Sequence, residues 1–239
     1  MSFPGNPYSG RVTSSPPQPE RTPELPKPIF RGRLHQLAFF AAIPAGFVLI
    51  VRASNGTSLA AAIVYAISLI ALFGASALYH RGNWSPGVVP RLRRLDHSMI
   101  FVLIAGTYTP FCLLALPSPW SWVFLGIAWS GAIAGITLKL LKIDGFKRTS
   151  GALYIALGWV IIFASPLMIS RLTGPVMALV VAGGVLYTAG AIVLASNRPN
   201  PWPRWFGYHE VWHSFTVAAG ACHYIAVLLL FALVGRGAI

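Results

Sequence analysis

Seven long runs of uncharged, predominantly apolar residues dominate this sequence of 239 residues. Each run is close to the roughly 20 residues that an α-helix needs to cross the hydrocarbon core of a bilayer. A backbone inside lipid must satisfy its own hydrogen bonds, and a helix does so within one segment. The sequence therefore predicts an all-α integral membrane protein, a seven-transmembrane helix bundle. The predicted spans are Leu34–Val51, Ser58–Tyr79, His97–Leu116, Trp120–Leu138, Gly151–Ser170, Val176–Ser196 and Val211–Val234.

The region before the first span differs in composition from the rest of the chain. Residues 1–30 are rich in Pro and Ser and contain few large apolar side chains. Such a segment cannot bury enough apolar surface to form a core of its own. We therefore expect a disordered cytoplasmic tail over residues 1–30 and a single transmembrane domain over residues 31–239.

The net charge of +13 would suit nucleic-acid binding, but the placement of the basic residues indicates a membrane instead. If the N-terminus is cytoplasmic, fifteen of the 18 Lys and Arg residues lie on the cytoplasmic side. Arg52, Arg171 and Arg236 are left on the opposite side. The positive-inside rule predicts this asymmetry. We expect the N-terminus inside, the C-terminus outside, basic loops facing the anionic lipid of the bilayer and no nucleic-acid partner.

Metal-binding residue types collect at the cytoplasmic ends of three spans in this topology. His80 follows the second span directly, and Asp96 is expected at or near the first turn of the third helix. His209 and His213 are expected in the opening turns of the seventh helix. Their separation of four residues directs both rings from one helix face, so they can share a metal ion. Ser76 and His80 have the same separation, which places a hydroxyl one turn deeper than an imidazole.

These three histidines make up a ligand set that suits Zn2+. Three imidazoles fill three positions of a zinc tetrahedron and leave the fourth for water, as in catalytic zinc sites. We therefore predict a zinc site with His80, His209 and His213 as ligands and Asp96 holding or deprotonating the water. An ionisable residue within a membrane span is costly and points to a function. Ser76 is expected to orient Asp96 or the water rather than to act as a nucleophile.

The first five residues of the segment HEVWHSFTVAAGACHY also match His-Glu-x-x-His, the helix motif of zinc metalloproteases. A protease of this kind takes a third ligand further along the chain, yet no Asp or Glu follows His213. His223 would lie about 15 Å further along the helix, too far to share the metal. Glu210 is then a neighbour of the site that orients a ligand or pairs with a loop arginine. The alternative that Glu210, and not Asp96, accepts the proton stays open.

The other histidines have simpler interpretations. His35 and His97 are expected at the membrane interface, near the ends of their spans. His223 falls in the middle of the last span, where we expect a hydrogen bond inside the bundle rather than a part in catalysis.

The segments SALYH, LDHSMIFVLIAGTYTPF and HEVWHSFTVAAGACHY resemble the hemolysin III family, which is related to the progestin and adipoQ receptors and the adiponectin receptors. The resemblance covers roughly Leu34–Val234. Its signature is Ser-x-x-x-His, then Asp, then His-x-x-x-His on three helices in that order. In the wider superfamily, which includes alkaline ceramidases, such a site is associated with lipid amide hydrolysis. The resemblance implies zinc ligands at His80, His209 and His213, a water-holding aspartate at Asp96 and a supporting serine at Ser76.

Three functions are compatible with this sequence in a multi-pass protein of the cell membrane. The first is a zinc-dependent hydrolase of a membrane lipid amide or ester, with the substrate entering laterally between helices. The second is a pore or cytolysin, although the scarcity of polar residues along the depth of the spans counts against it. The third is a receptor, although the predicted external loops at 52–57, 117–119 and 171–175 are short. A structural zinc that ties three helix ends together is a further alternative.

Overall fold

The structure is a computed structural model that describes residues 28–141 and 147–239. Most of the predicted N-terminal tail therefore lies outside the described residues. The described regular structure consists of eight α-helices, with a 3₁₀ segment over Val160–Ala164 between the fifth and the sixth. The helices are α1 (Arg33–Val51), α2 (Gly56–Arg81), α3 (Val89–Ala115), α4 (Trp120–Leu141), α5 (Lys147–Trp159), α6 (Ser165–Ile169), α7 (Gly174–Ser196) and α8 (Tyr208–Gly235).

Seven helical spans among the described residues are long and apolar enough to cross a membrane. The fifth of them, Gly151–Ile169, combines the end of α5 with the 3₁₀ segment and α6. Six of the seven predicted spans begin and end within three residues of the observed ones. The prediction of a seven-helix membrane bundle is confirmed, while the orientation of its termini stays a prediction.

The third span begins eight residues earlier than predicted, at Val89 instead of His97. Pro90 occupies the first turn, where its fixed φ favours a helix start and its missing N–H costs no hydrogen bond. Arginine and leucine, which are good helix formers, continue the helix from there. Asp96 consequently lies at the end of the second turn of α3, one turn further along than the expected position at or near the first turn.

Helix α8 closes the bundle by packing against α7, α1 and α3. Glycines allow the close approach to α7, because a Cβ at Gly190 would come within 2.8 Å of the Phe215 Cβ. A Cβ at Gly183 would overlap the His223 ring. Small residues that permit such close packing are typical of membrane helices. The contacts of α8 place its N-terminal turns beside the ends of other spans.

The residues before α1 form a short N-terminal strap over 28–32, which runs along the loop between α7 and α8. The backbone N–H groups of Ile29 and Phe30 donate to the carbonyls of Arg204 and Trp205, each at 3.1 Å. Gly32 then turns the chain into α1 with a φ of 77°, in the left-handed region that favours glycine. A Cβ at Gly32 would lie 2.6 Å from the His80 Cβ. The strap therefore packs directly on the end of α2.

Candidate metal centre

The structure brings His80, His209 and His213 together at one end of the bundle. The Nε2 atoms of His80 and His209 lie 3.2 Å apart across the two helices. One ring nitrogen from each of the three histidines falls within 4.8 Å of the others. We call these three residues the histidine cluster. His213 is buried, whereas His80 and His209 are half-buried, so the cluster is accessible from the side of the latter two.

Local structure at the start of α8 fixes two of these rings. Gly207 precedes the helix in an extended conformation, and its N–H donates to Glu210 Oε2 at 2.9 Å. A carboxylate in this position satisfies one of the free N–H groups at a helix start. His209 therefore lies in the first turn of α8, and His213 lies one turn further on the same face.

Glu210 is almost fully buried, with 1% of its surface exposed, and both of its carboxylate oxygens are engaged. Its Oε1 pairs with the Arg31 guanidinium of the N-terminal strap, and its Oε2 accepts the Gly207 N–H. Of the two expected roles, Glu210 therefore has the pairing with an arginine, although this arginine belongs to the N-terminal strap and not to a loop between spans. This carboxylate links the strap to the start of α8.

Ser76 and Asp96 meet between α2 and α3. Ser76 is buried, at 2% exposure, and its hydroxyl hydrogen-bonds the Asp96 carboxyl. Asp96 Oδ2 also lies 3.6 Å from His97 Nδ1, which is 2.6 Å from the Arg93 carbonyl of its own helix. The His97 side chain is about one third exposed, at 35%, in keeping with its expected interfacial position.

His35 is the residue of this site that the sequence analysis missed. Expected at the membrane interface, it is instead 3% exposed. Its ring stacks on His213, with centroids 3.8 Å apart, and its Nδ1 lies 2.7 Å from Ser76 Oγ. A signal was present, because His35 begins the first span at the same end of the bundle as the histidine cluster. The structure thus connects Asp96, Ser76, His35 and His213 in one continuous chain of contacts.

His223 lies in the middle of α8, apart from this arrangement, as expected. Its Nε2 is 3.1 Å from the Val180 carbonyl of α7. The same ring lines a largely apolar cavity of about 190 Å3, together with Tyr108, Trp159 and Met168. His223 is therefore held by hydrogen bonding within the bundle.

The donor set fits a tetrahedral metal ion. Bonds of 2.0–2.1 Å from a tetrahedral zinc place two ligand nitrogens about 3.3 Å apart. The observed 3.2 Å between the Nε2 atoms of His80 and His209 matches this separation. In addition, the buried Nδ1 of His213 has no hydrogen-bond partner among the described residues. The residues present therefore suit a metal that prefers imidazole nitrogen.

The fold and the histidine cluster together define a polytopic membrane protein with a candidate metal centre at one end of its helix bundle. Comparison with known proteins then gives the family. The model of the Haemolysin-III related family matches residues 24–224, and the chain belongs to this family. It is accordingly a multi-pass protein of the cell membrane.

Curated relatives agree with this membership. The chain is 39% identical over 197 residues to Hemolysin-3 of Bacillus cereus, a match that covers 81% of this chain and 87% of the relative. It is 32% identical over 197 residues to a Hemolysin-3 homolog of Bacillus subtilis (strain 168), covering 81% and 89%. The human Monocyte to macrophage differentiation factor is 25% identical over 172 residues, covering 69% and 67%.

Proposed function

We propose that this protein is a metal-dependent hydrolase of a membrane lipid amide or ester, with Zn2+ held by His80, His209 and His213. The observation that carries the proposal is the 3.2 Å approach of two imidazole nitrogens from different helices. It is supported by the chain of contacts that runs from His213 through His35 and Ser76 to Asp96. A purely structural metal would not require a carboxyl and a buried hydroxyl in the same network.

The chemistry divides between the metal and the protein. Zinc held by three imidazoles supplies a Lewis acid with one open coordination position. Asp96 supplies the base, since an ionised carboxylate within reach of a water can accept its proton. Ser76 donates its hydroxyl hydrogen to Asp96 and so holds that carboxylate in one orientation. Its buried hydroxyl is committed to Asp96 and His35, which supports a positioning role over a nucleophilic one.

A lipid substrate fits the position of the site. The cluster lies at the end of a bundle whose spans face hydrocarbon, and its accessible side is formed by His80 and His209. A lipid within the bilayer can bring an amide or ester near its headgroup to this depth while its tails stay in the hydrocarbon. Soluble substrates would gain nothing from so apolar a scaffold.

The name Hemolysin-3 of the Bacillus relatives suggests membrane lysis as a second candidate function. Selective pores line the depth of the membrane with polar or charged groups. In the spans that the structure describes, the acidic residues are Asp96 and Glu210. Both belong to the cluster end of the bundle, and Glu210 is paired with Arg31. This distribution favours chemistry at one face over a path through the membrane.

The proposal is tested with the full-length protein purified in detergent. Elemental analysis should find close to one zinc per chain. Zinc-loaded protein incubated with extracted membrane lipids should release fatty acids, detected by mass spectrometry, and chelator-stripped protein should not. Zinc-loaded protein that releases no product from any lipid class would overturn the hydrolase proposal, and lipid analysis of a deletion strain would identify the substrate class.

A further inference from the structure

His35 on α1 contacts two different parts of the site with a single ring. One face stacks on His213, with an interplanar angle of 14°. Its Nδ1 is 2.7 Å from Ser76 Oγ. A third contact, edge-on against Phe73 with centroids 5.2 Å apart, completes the enclosure of this buried ring. These contacts leave the imidazole little freedom to turn.

The direction of each hydrogen bond follows from the single hydrogen of the Ser76 hydroxyl. An ionised Asp96 can only accept, so Ser76 donates to it. The Ser76 oxygen must then accept from His35, which places the hydrogen of that imidazole on Nδ1. The orientation of Asp96 thereby depends, through Ser76, on a residue of α1.

His35 does not complete the metal's ligand set. The lone pair of an imidazole nitrogen lies in the plane of its ring. The planes of His35 and His213 are nearly parallel, and their centroids are 3.8 Å apart. Two such lone pairs do not converge on one ion 2.0–2.1 Å from each nitrogen. The ring of His35 instead limits the rotation of His213, whose own Nδ1 has no hydrogen-bond partner among the described residues.

We propose that His35 is a positioning residue with two separable actions. Its ring holds the metal ligand His213 by stacking, and its Nδ1–H holds Asp96 through Ser76. The second action rests on the proposed function, because it concerns the orientation of the base. The first concerns metal affinity and is independent of any lipid chemistry. Partners that orient a metal site typically change metal affinity or activity by about 10–100-fold.

Two substitutions separate the actions. His35→Phe keeps a flat ring against His213 and Phe73 but has no nitrogen for Ser76. His35→Asn has no ring, while its amide nitrogen lies near the former Nδ1 and can still donate to Ser76. Ser68→Ala is a matched control, because Ser68 is also buried on α2 but bonds the Tyr65 carbonyl at 2.8 Å.

The experiment measures two quantities on each full-length variant in detergent. One is the Zn2+ dissociation constant from chelator competition, and the other is lipid turnover at saturating zinc. His35→Asn should weaken zinc binding about 10–100-fold with turnover retained, and His35→Phe should lower turnover about 10–100-fold with zinc binding retained. Ser68→Ala should change neither. Substitutions of a residue that only supports the fold would not change zinc affinity in one variant and lipid turnover in the other.

The Ser76→Ala variant gives a second test that leaves the His35 ring in place. The lipid turnover of Ser76→Ala should fall as it does in His35→Phe. The double variant that combines His35→Phe with Ser76→Ala should be no slower than Ser76→Ala alone. If the turnover losses of His35→Phe and Ser76→Ala multiplied in the double variant, the two residues would act independently and the proposal would be overturned. The proposal would also be overturned if His35→Phe and His35→Asn changed zinc affinity and turnover equally. If wild-type protein binds zinc but turns over no lipid, the hydrolase proposal fails, and the zinc affinity of His35→Asn still decides the stacking action. A wild type that binds no zinc overturns both.

Discussion

Histidines in two regions of α8, its first two turns and its middle, differ in what their ring nitrogens contact. His209 and His213, in the first two turns of α8, share their end of the bundle with His80 and His35 from other helices. His223, ten residues later, has its Nε2 beside a backbone carbonyl of α7. A nitrogen that donates to a carbonyl is not available to a metal, whereas nitrogens that face one another at 3.2 Å are. A histidine of α8 therefore belongs to the candidate metal site or packs within the bundle according to the groups that other helices place beside its ring nitrogens.

The two regions are also held together by different means. At the cluster end, Glu210 joins the N-terminal strap to α8 through Arg31. In the middle of the bundle, close packing dominates, with Gly183 lying directly under the His223 ring. A substitution that removes a side chain at the cluster end should therefore remove a metal ligand or break an ion pair. In the middle of the bundle, such a substitution should alter only local packing.

The largest expected effect is loss of metal from the cluster variants. His80→Ala, His209→Ala and His213→Ala should each lose most of the bound zinc, because two imidazoles do not complete a structural or catalytic zinc site. His223→Ala should keep a wild-type zinc content in elemental analysis of purified protein. Equal loss from His223→Ala would show that the two groups of histidines do not differ in the way the geometry indicates.

Asp96→Asn should have the next largest effect, on turnover alone. Asparagine keeps the size of the side chain and can still accept from Ser76, but it cannot accept a proton. Lipid turnover should fall by about 10²–10⁴-fold, as is typical for removal of a general base, with zinc content unchanged. Glu210→Gln serves as the comparison and should not show this fall, because Glu210 is engaged by Arg31 and Gly207. Undiminished turnover in fully zinc-loaded Asp96→Asn would refute the mechanism.

Removal of the Arg31 charge should reduce stability rather than chemistry. Arg31→Met leaves the buried Glu210 carboxylate without its cation, and the free energy of unfolding should fall by about 3 kcal/mol, at the lower end for such pairs because Arg31 is partly exposed. The double variant with Glu210→Gln should be more stable than Arg31→Met, because no unpaired charge then stays buried. Unfolding in detergent measures both. If the double variant is the less stable, the pair does not act as described.

The sequence allowed much of this arrangement to be predicted, and the two parts it missed have different physical causes. Hydropathy located the spans, since length and apolarity alone decide whether a helix can cross a bilayer. Charge asymmetry and helical spacing then assigned His80, His209 and His213 to one end. The burial of His35 escaped prediction because it depends on packing between helices. The early start of α3 escaped because hydropathy does not detect the charged turns that follow Pro90, although their residues favour a helix. No periodicity within α1 indicates that its histidine turns toward α2 and α8 and not toward lipid.

The smallest expected effect comes from Gly183→Ala, which tests the middle of the bundle alone. The added Cβ would overlap the His223 ring, so either the ring moves away from the Val180 carbonyl or α7 and α8 separate slightly. Overpacking of this kind typically costs about 1–3 kcal/mol, and the unfolding temperature should fall accordingly. Zinc content should not change, since Gly183 contacts no member of the histidine cluster. Gly151→Ala is the control, because a Cβ at that position meets no atom of the described side chains within 4 Å. If Gly183→Ala released zinc, the middle of the bundle and the cluster would be mechanically coupled, and the separation between the two regions of α8 would not hold.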